Sequence, residues 1–167
     1  MEIKLKQNTL CFKGILDESV TVDSLTDWFE KTFSESGSKD VSVDFTSVKY
    51  ANSAGILAWI KALTSFGRPI VYLSAPTWLV LQFNMVPQLI NNENSVVKIQ
   101  VPFYNTQTEE EKVFDYTIGK EIPILDSYDK FDIDSKEING ETFVPDFIPE
   151  RYFDFIVKNK NVFKQNR

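Results

Sequence analysis

Apolar residues alternate with polar ones in some segments of this chain and recur at helical spacing in others. Residues 41–46 alternate between apolar and polar types, which is the periodicity of a strand with one buried face. In residues 53–66, Ile56, Trp59 and Leu63 recur at the spacing of one helix face. These two segments therefore predict a strand followed directly by an amphipathic helix.

The same patterns extend along the chain and predict an α/β fold. Strands are predicted over 3–5, 9–16, 41–46, 70–73 and 96–104, and helices over 21–35, 53–66 and from Pro76 onward. Strands separated by helices indicate one mostly parallel or mixed sheet with helices packed against it.

Beyond the last of these strands, the pattern weakens. We expect a further strand over 112–118, a polar loop-like region over 126–141 and a helix over 149–158. The chain is therefore predicted to form one domain over residues 1–104, with a C-terminal β-turn and helix extension over 105–167 packed on it.

The junction between the strand and helix of residues 41–66 reads Asn52-Ser53-Ala54-Gly55. Serine is a favoured helix N-cap because its hydroxyl accepts a hydrogen bond from a first-turn N–H, so Ser53 is predicted to cap the helix. A helix start also presents free N–H groups and the positive end of the helix dipole. A regulatory or partner-binding site is therefore predicted here.

This junction resembles the STAS domain, the family of the anti-sigma factor antagonists. In that family a strand leads to Asp-Ser-Ser/Thr-Gly at a helix start, and the hydroxyl residue before the Gly is phosphorylated. Here Asn52 stands at the position of the family Asp, and Ala54 at that of the phosphoacceptor. The segment 12–17, Phe-Lys-Gly-Ile-Leu-Asp, is similar to the family's second strand. The resemblance covers about residues 3–100 and implies a STAS-like fold.

The resemblance also implies a function, that of a regulatory module that binds a protein partner and is not an enzyme. The partner would be a serine kinase or another regulator of the anti-sigma type, bound through Asn52, Ser53, Ala54, Gly55, Ile56 and Leu57. Phosphorylation adds about two negative charges to an interface, and Ala54 cannot accept it, so binding would be constitutive. Ser53 as a phosphoacceptor one residue early is the alternative to its role as a cap.

A second functional hypothesis is a structural or accessory subunit of a bacterial signalling or transport complex, including a homodimer.

Composition argues against several other classes of function. The chain has no histidine, which removes the commonest general base and metal ligand, and one cysteine, Cys11, predicted to be buried. A formal charge of −6 without a basic run argues against nucleic acid. No apolar stretch is long enough for a membrane span, and the first residues do not look like a signal peptide, so we expect a cytoplasmic protein without cofactors.

The extension resembles that of some bacterial STAS-like proteins, which carry two Cys-x-x-Cys pairs. The cysteines would be expected at Asn105, Thr108, Lys136 and Asn139, and none is present. We therefore predict an extension that folds without metal, held by its Phe and Tyr residues. A calcium site in residues 126–134, where four aspartates occur, is the weaker alternative, because the Gly and Glu of an EF-hand loop are missing.

Overall fold

A computed structural model describes residues 1–37, 39–90 and 94–165 of the chain. The strands are β1 (Glu2–Lys6), β2 (Thr9–Leu16), β3 (Val41–Ala51), β4 (Ile70–Ala75), β5 (Ser95–Tyr104), β6 (Glu111–Thr117), β7 (Lys136–Ile138) and β8 (Glu141–Pro145). The helices are α1 (Val22–Ser36), α2 (Ser53–Phe66), α3 (Thr77–Met85), α4 (Pro149–Tyr152), α5 (Asp154–Lys158) and α6 (Lys160–Gln165), and a 3-10 turn spans Pro87–Leu89. The predicted α/β class, a mixed sheet with helices, is confirmed, and the predicted order of elements is observed as far as β5.

One sheet with the order β1-β2-β3-β4-β5-β8-β7 organises the molecule, and β6 pairs with β5 outside this path. β2, β3, β4 and β5 are mutually parallel, whereas β1 is antiparallel to β2. β5 is the strand on which the two parts of the chain meet. β4 pairs with its first half, up to Ile99, and β6 pairs antiparallel with residues 98–104. β8 pairs with Phe103 and Tyr104, on the side that β4 leaves free.

Four local predictions of secondary structure or burial were wrong. The predicted loop-like region over 126–141 contains β7 and the first residue of β8, which pair as a hairpin. β3 runs on to Ala51, well past the predicted end at residue 46. The predicted helix over 149–158 is broken at Phe153 into α4 and α5, because the Phe155 N–H donates to Asn84 Oδ1 at 2.8 Å rather than to a helical carbonyl. Cys11 is only partly buried. Its neighbours Leu10 and Phe12 face the core, so Cys11 points to the opposite face of β2.

The core of the first part is an aromatic cluster around Trp59 of α2. Its indole is fully buried and lies 5.4 Å from the Phe12 ring, 5.2 Å from Phe29 and 4.8 Å from Phe45. Trp59 Nε1–H donates to Tyr72 Oη at 2.9 Å, and the Tyr72 hydroxyl donates to the Leu89 carbonyl at 3.2 Å. This chain of hydrogen bonds satisfies the polar atoms that the cluster buries.

Aromatic residues also form the core of the extension, as predicted. Phe153 is fully buried, with its ring centroid 5.0 Å from that of Tyr128, 5.8 Å from Phe131 and 5.4 Å from Phe147. Asn84 of α3 joins this region to the first part, since it also donates to the Tyr152 carbonyl at 3.1 Å.

We expect Tyr72→Phe to lower the free energy of unfolding by about 1–3 kcal/mol, because it leaves the Trp59 N–H without an acceptor in the core. Urea denaturation followed by tryptophan fluorescence measures this change. The matched control is Tyr50→Phe, at a tyrosine that is 51% exposed, which should leave stability unchanged. Equal effects of the two substitutions would show that the buried hydrogen bond contributes nothing.

Candidate functional site

The start of α2 is capped by Asn52, and the prediction of Ser53 as the cap was wrong. Asn52 has an extended backbone, and its Oδ1 accepts from the Gly55 N–H at 2.9 Å. β3 continues to Ala51, which places Asn52 between strand and helix and moves Ser53 into the first helical position. Asparagine is as good an N-cap as serine, so residue type alone did not distinguish the two positions.

Gly55 brings the helix start against the end of β2. A Cβ atom on Gly55 would lie 2.1 Å from the Leu16 carbonyl oxygen and 2.8 Å from the Asp17 backbone nitrogen. The Asn52 N–H donates to the same Leu16 carbonyl at 3.0 Å. The backbone of β2 and that of α2 are therefore in direct contact, and only a residue without a side chain fits at position 55.

Two acidic side chains lie in the turn that follows β2, next to the helix start. Glu18 Oε2 accepts from Asn52 Nδ2 at 2.6 Å. A hydrogen bond from its own backbone amide and then that from Asn52 lower the pKa of the Glu18 carboxyl. Asp17 Oδ1 accepts from the Ser19 hydroxyl and amide, which lower the pKa of Asp17. No sequence pattern indicates that Glu18 neighbours Asn52, because the two residues are 34 positions apart in the chain.

The six predicted site residues divide into a structural and an exposed group. Asn52 and Gly55 fix the helix start, and Ile56 is 8% exposed and belongs to the core. Ser53 and Ala54 are exposed on the first turn, and Leu57 is 51% exposed. A partner can therefore contact Ser53, Ala54 and Leu57 directly.

A cleft of about 450 Å³ opens beside this first turn. One wall is α2, with Ser53, Leu57 and Ile60, and the other includes Gln82 and Val86, at and just after the end of α3. The sequence did not indicate that α3 would be the helix beside this site, because α2 and α3 come together only by packing Trp59 and Phe83 against the same Tyr72 ring of β4. The cleft is open and has both polar and apolar walls, as suits a segment of another protein.

Two further properties of the described residues concern metal binding and membrane spanning. Among the residues that the structure describes, no group of three or more His, Cys, Asp or Glu side chains could hold a metal ion. This includes the aspartates of residues 126–134, of which Asp126 forms an ion pair with Lys160. In residues 1–37, 39–90 and 94–165, no helix is long and apolar enough to cross a membrane.

The positions at which cysteines were expected have other roles. Asn105 is 2% exposed, and its Oδ1 accepts from the amides of Gln107 and Thr108, which closes the turn after β5. Lys136 Nζ lies 5.0–5.9 Å from the ring centroids of Phe103, Phe114 and Tyr116. Asn139 has a positive φ of 53° in the turn between β7 and β8. Hydrogen bonds and cation–π contacts thus involve the positions at which the similar extensions carry cysteines.

Comparisons with known proteins find little similarity. No protein-family model matches the chain, and no curated protein matches it significantly. Among solved structures, the anti-sigma factor antagonist SpoIIAA in its unphosphorylated form is 14% identical to this chain, with a TM-score of 0.28. The match covers 43% of this chain and 70% of that one. With a TM-score this low, we infer neither fold nor function from the likeness.

We expect Gly55→Ala to lower the free energy of unfolding by about 3 kcal/mol or more, at the upper end of the cost of overpacking, because the new methyl group would overlap the Leu16 carbonyl of the backbone. Gly37→Ala is the matched control. Gly37 has a positive φ of 62°, but a methyl group added there would meet no atom within 4 Å, so only the backbone cost of about 1–2 kcal/mol applies. Thermal and urea denaturation measure both variants. A Gly55→Ala protein as stable as wild type would contradict the close approach.

Asn52→Asp keeps a capping oxygen but replaces the donor to Glu18 with a second carboxylate. We expect the pKa of Glu18 to rise from its lowered value, because like charges would then face each other. A raised folded-state pKa means that the variant loses stability relative to wild type as pH rises through that pKa. NMR titration of the Glu18 carboxyl carbon measures the shift. Asn161→Asp, on the exposed side of α6, should leave the pKa of Glu18 unchanged.

Proposed function

We propose that this chain is a regulatory module that binds a protein partner through the start of α2 and does not catalyse a reaction. Its mode of action would resemble that of an anti-sigma factor antagonist in a bacterial, cytoplasmic signalling system. The partner would be a serine kinase or a related regulator of the anti-sigma type. The partner class comes from the resemblance of the Asn52-Ser53-Ala54-Gly55 segment to the STAS motif, and the surface comes from the geometry of α2 and α3.

The observation that carries the proposal is the exposed first turn of α2 beside the cleft shared with α3. Ala54 and Leu57 are exposed there although they are apolar, and the cleft of about 450 Å³ is lined on the other side by Gln82 and Val86. Exposed apolar side chains next to a concave surface are typical of protein-binding sites.

The helix start is held in place before any partner arrives. The Asn52 cap, the Gly55 contact with Leu16 and the hydrogen bond from Asn52 to Glu18 all act on the same turn. A surface with a fixed backbone loses little conformational entropy on binding, which favours affinity. The same rigidity would present Ser53 and Ala54 to the partner in one orientation.

The site would not be switched by phosphorylation at residue 54. Ala54 has no hydroxyl, so the charge that would disrupt an interface cannot be added at that position. Ser53 is exposed in the first helical position and is not needed as the cap, so it remains the alternative acceptor. Binding is therefore expected to be constitutive, unless Ser53 is modified.

Ala54→Glu tests the proposal, because glutamate places a negative charge where the family carries its phosphate. An acidic residue in the first turn of a helix is favourable for the helix itself, so we expect the fold to be retained. In affinity capture from a lysate of the source cells, read by mass spectrometry, wild type should retain a kinase-like or sigma-regulatory protein that Ala54→Glu loses.

The matched control is Ser65→Glu, at an exposed position near the other end of α2, which should retain the same partner. Circular dichroism of each variant verifies the fold. Loss of the partner in both variants, or its retention in both, would separate binding from the helix start and contradict the proposal. Stoichiometric phosphate on Ser53 in protein isolated from the source cells would contradict constitutive binding.

A further inference from the structure

A second exposed apolar surface lies on α3, beside the face of that helix that borders the partner cleft, by which we mean the cleft of about 450 Å³ lined by α2 and the end of α3. Leu81 is 47% exposed and Met85 is 72% exposed, and they are one helical turn apart on the same face. Ile148, just before α4, is 53% exposed. We refer to Leu81, Met85 and Ile148 as the α3 face. Side chains of this size rarely cluster on a surface that is permanently in contact with water.

A cleft of about 290 Å³ runs along the α3 face between α3 and α4. Its walls are almost entirely apolar and include Leu81, Pro102, Phe147, Ile148 and the ring of Tyr152. Tyr152 is held in place because its hydroxyl donates to the Gln100 carbonyl at 2.6 Å. The surface therefore combines an exposed apolar ridge on α3, Leu81 and Met85, with an apolar cleft that has Leu81 in its wall.

The rim of this cleft carries charges of both signs. Asp146 and Arg151 both line it, and both are exposed. Within the part of the chain that the structure describes, neither side chain takes part in an ion pair. A partner of a single charge would be attracted by one of these residues and repelled by the other. A second copy of the same surface, rotated by 180°, offers the opposite charge to each.

We propose that the α3 face is the interface of a homodimer with twofold symmetry. Leu81 and Met85 of each protomer lie in or against the cleft of the other, and Asp146 faces the partner subunit's Arg151. In such an isologous contact each pair of contacts occurs twice. The ridge, the cleft and the two rim charges of one protomer therefore meet the same features of the other protomer. The formal charge of −6 on each chain opposes unspecific association, so contact requires a local match of this kind.

The dimer and the proposed partner site use different residues of α3. The partner cleft is lined by Gln82 and by Val86 just after the helix, whereas the dimer cleft is lined by Leu81. The two proposals can therefore fail separately. Ala54→Glu should not change the oligomeric state, even if it abolishes partner binding.

Sedimentation equilibrium of the full chain, from about 1 to 100 μM at physiological salt, tests the dimer. We expect wild type to approach twice the monomer mass of 19.3 kDa. Leu81→Glu should remain monomeric, because it places a charge in the apolar cleft of the partner. Val113→Glu is the matched control, since Val113 is 51% exposed but lies on β6, and it should dimerise like wild type.

Charge exchange tests the predicted pairing directly. Asp146→Arg and Arg151→Asp should each weaken dimerisation roughly tenfold or more, because each places like charges opposite one another. An equimolar mixture of these two variants should form a heterodimer more tightly than either forms a homodimer, since opposite charges then face each other at both rims. The double variant, Asp146→Arg with Arg151→Asp, should regain dimerisation.

Three outcomes would overturn the proposal, provided that circular dichroism shows folded variants. The first is a wild-type protein that stays monomeric at 100 μM. The second is a dimer that persists in Leu81→Glu or is lost in Val113→Glu, which would place the interface elsewhere. The third is a mixture of the two charge variants that associates no better than each variant alone.

Discussion

Burial of the Trp59 indole is the constraint on which the arrangement of the first part of the chain depends. Trp59 belongs to α2, but it contacts rings from β2, α1 and β3, namely Phe12, Phe29 and Phe45. An indole N–H is costly to bury without an acceptor, and Tyr72 of β4 supplies one. The position of α2 relative to the sheet is thus determined by packing and by one directional hydrogen bond together.

The candidate site follows from that placement. Packing around Trp59 fixes the middle of α2. Its first turn then lies against the end of β2, where Gly55 contacts Leu16. The cap on this turn also reaches outside the helix, because Asn52 donates to Glu18 in the turn after β2. The backbone that carries Ser53, Ala54 and Leu57 is therefore held by contacts with the end of β2 and with the turn after it.

α3 connects the two parts of the molecule and borders both clefts. Asn84 binds backbone groups of Tyr152 and Phe155, and the indole of Trp78 donates to the Val48 carbonyl at 2.8 Å. Gln82 of this helix borders the partner cleft, and the preceding residue, Leu81, lines the cleft of the α3 face. Binding at either cleft would involve the same helix. Because Asn84 of α3 binds the extension, the extension helps to hold this helix in place.

Local periodicity was sufficient to predict the α/β class, the order of elements up to β5 and the location of the helix start at residues 52–57. These features depend on residues close together in the chain. Only the tertiary structure decided which residue caps α2. Asn52 and Ser53 are both good caps, and Asn52 is the cap because β3 ends at Ala51. The break at Phe153 and the two clefts beside α3 likewise arise from contacts between distant segments, such as Asn84 with Phe155, which no local pattern records.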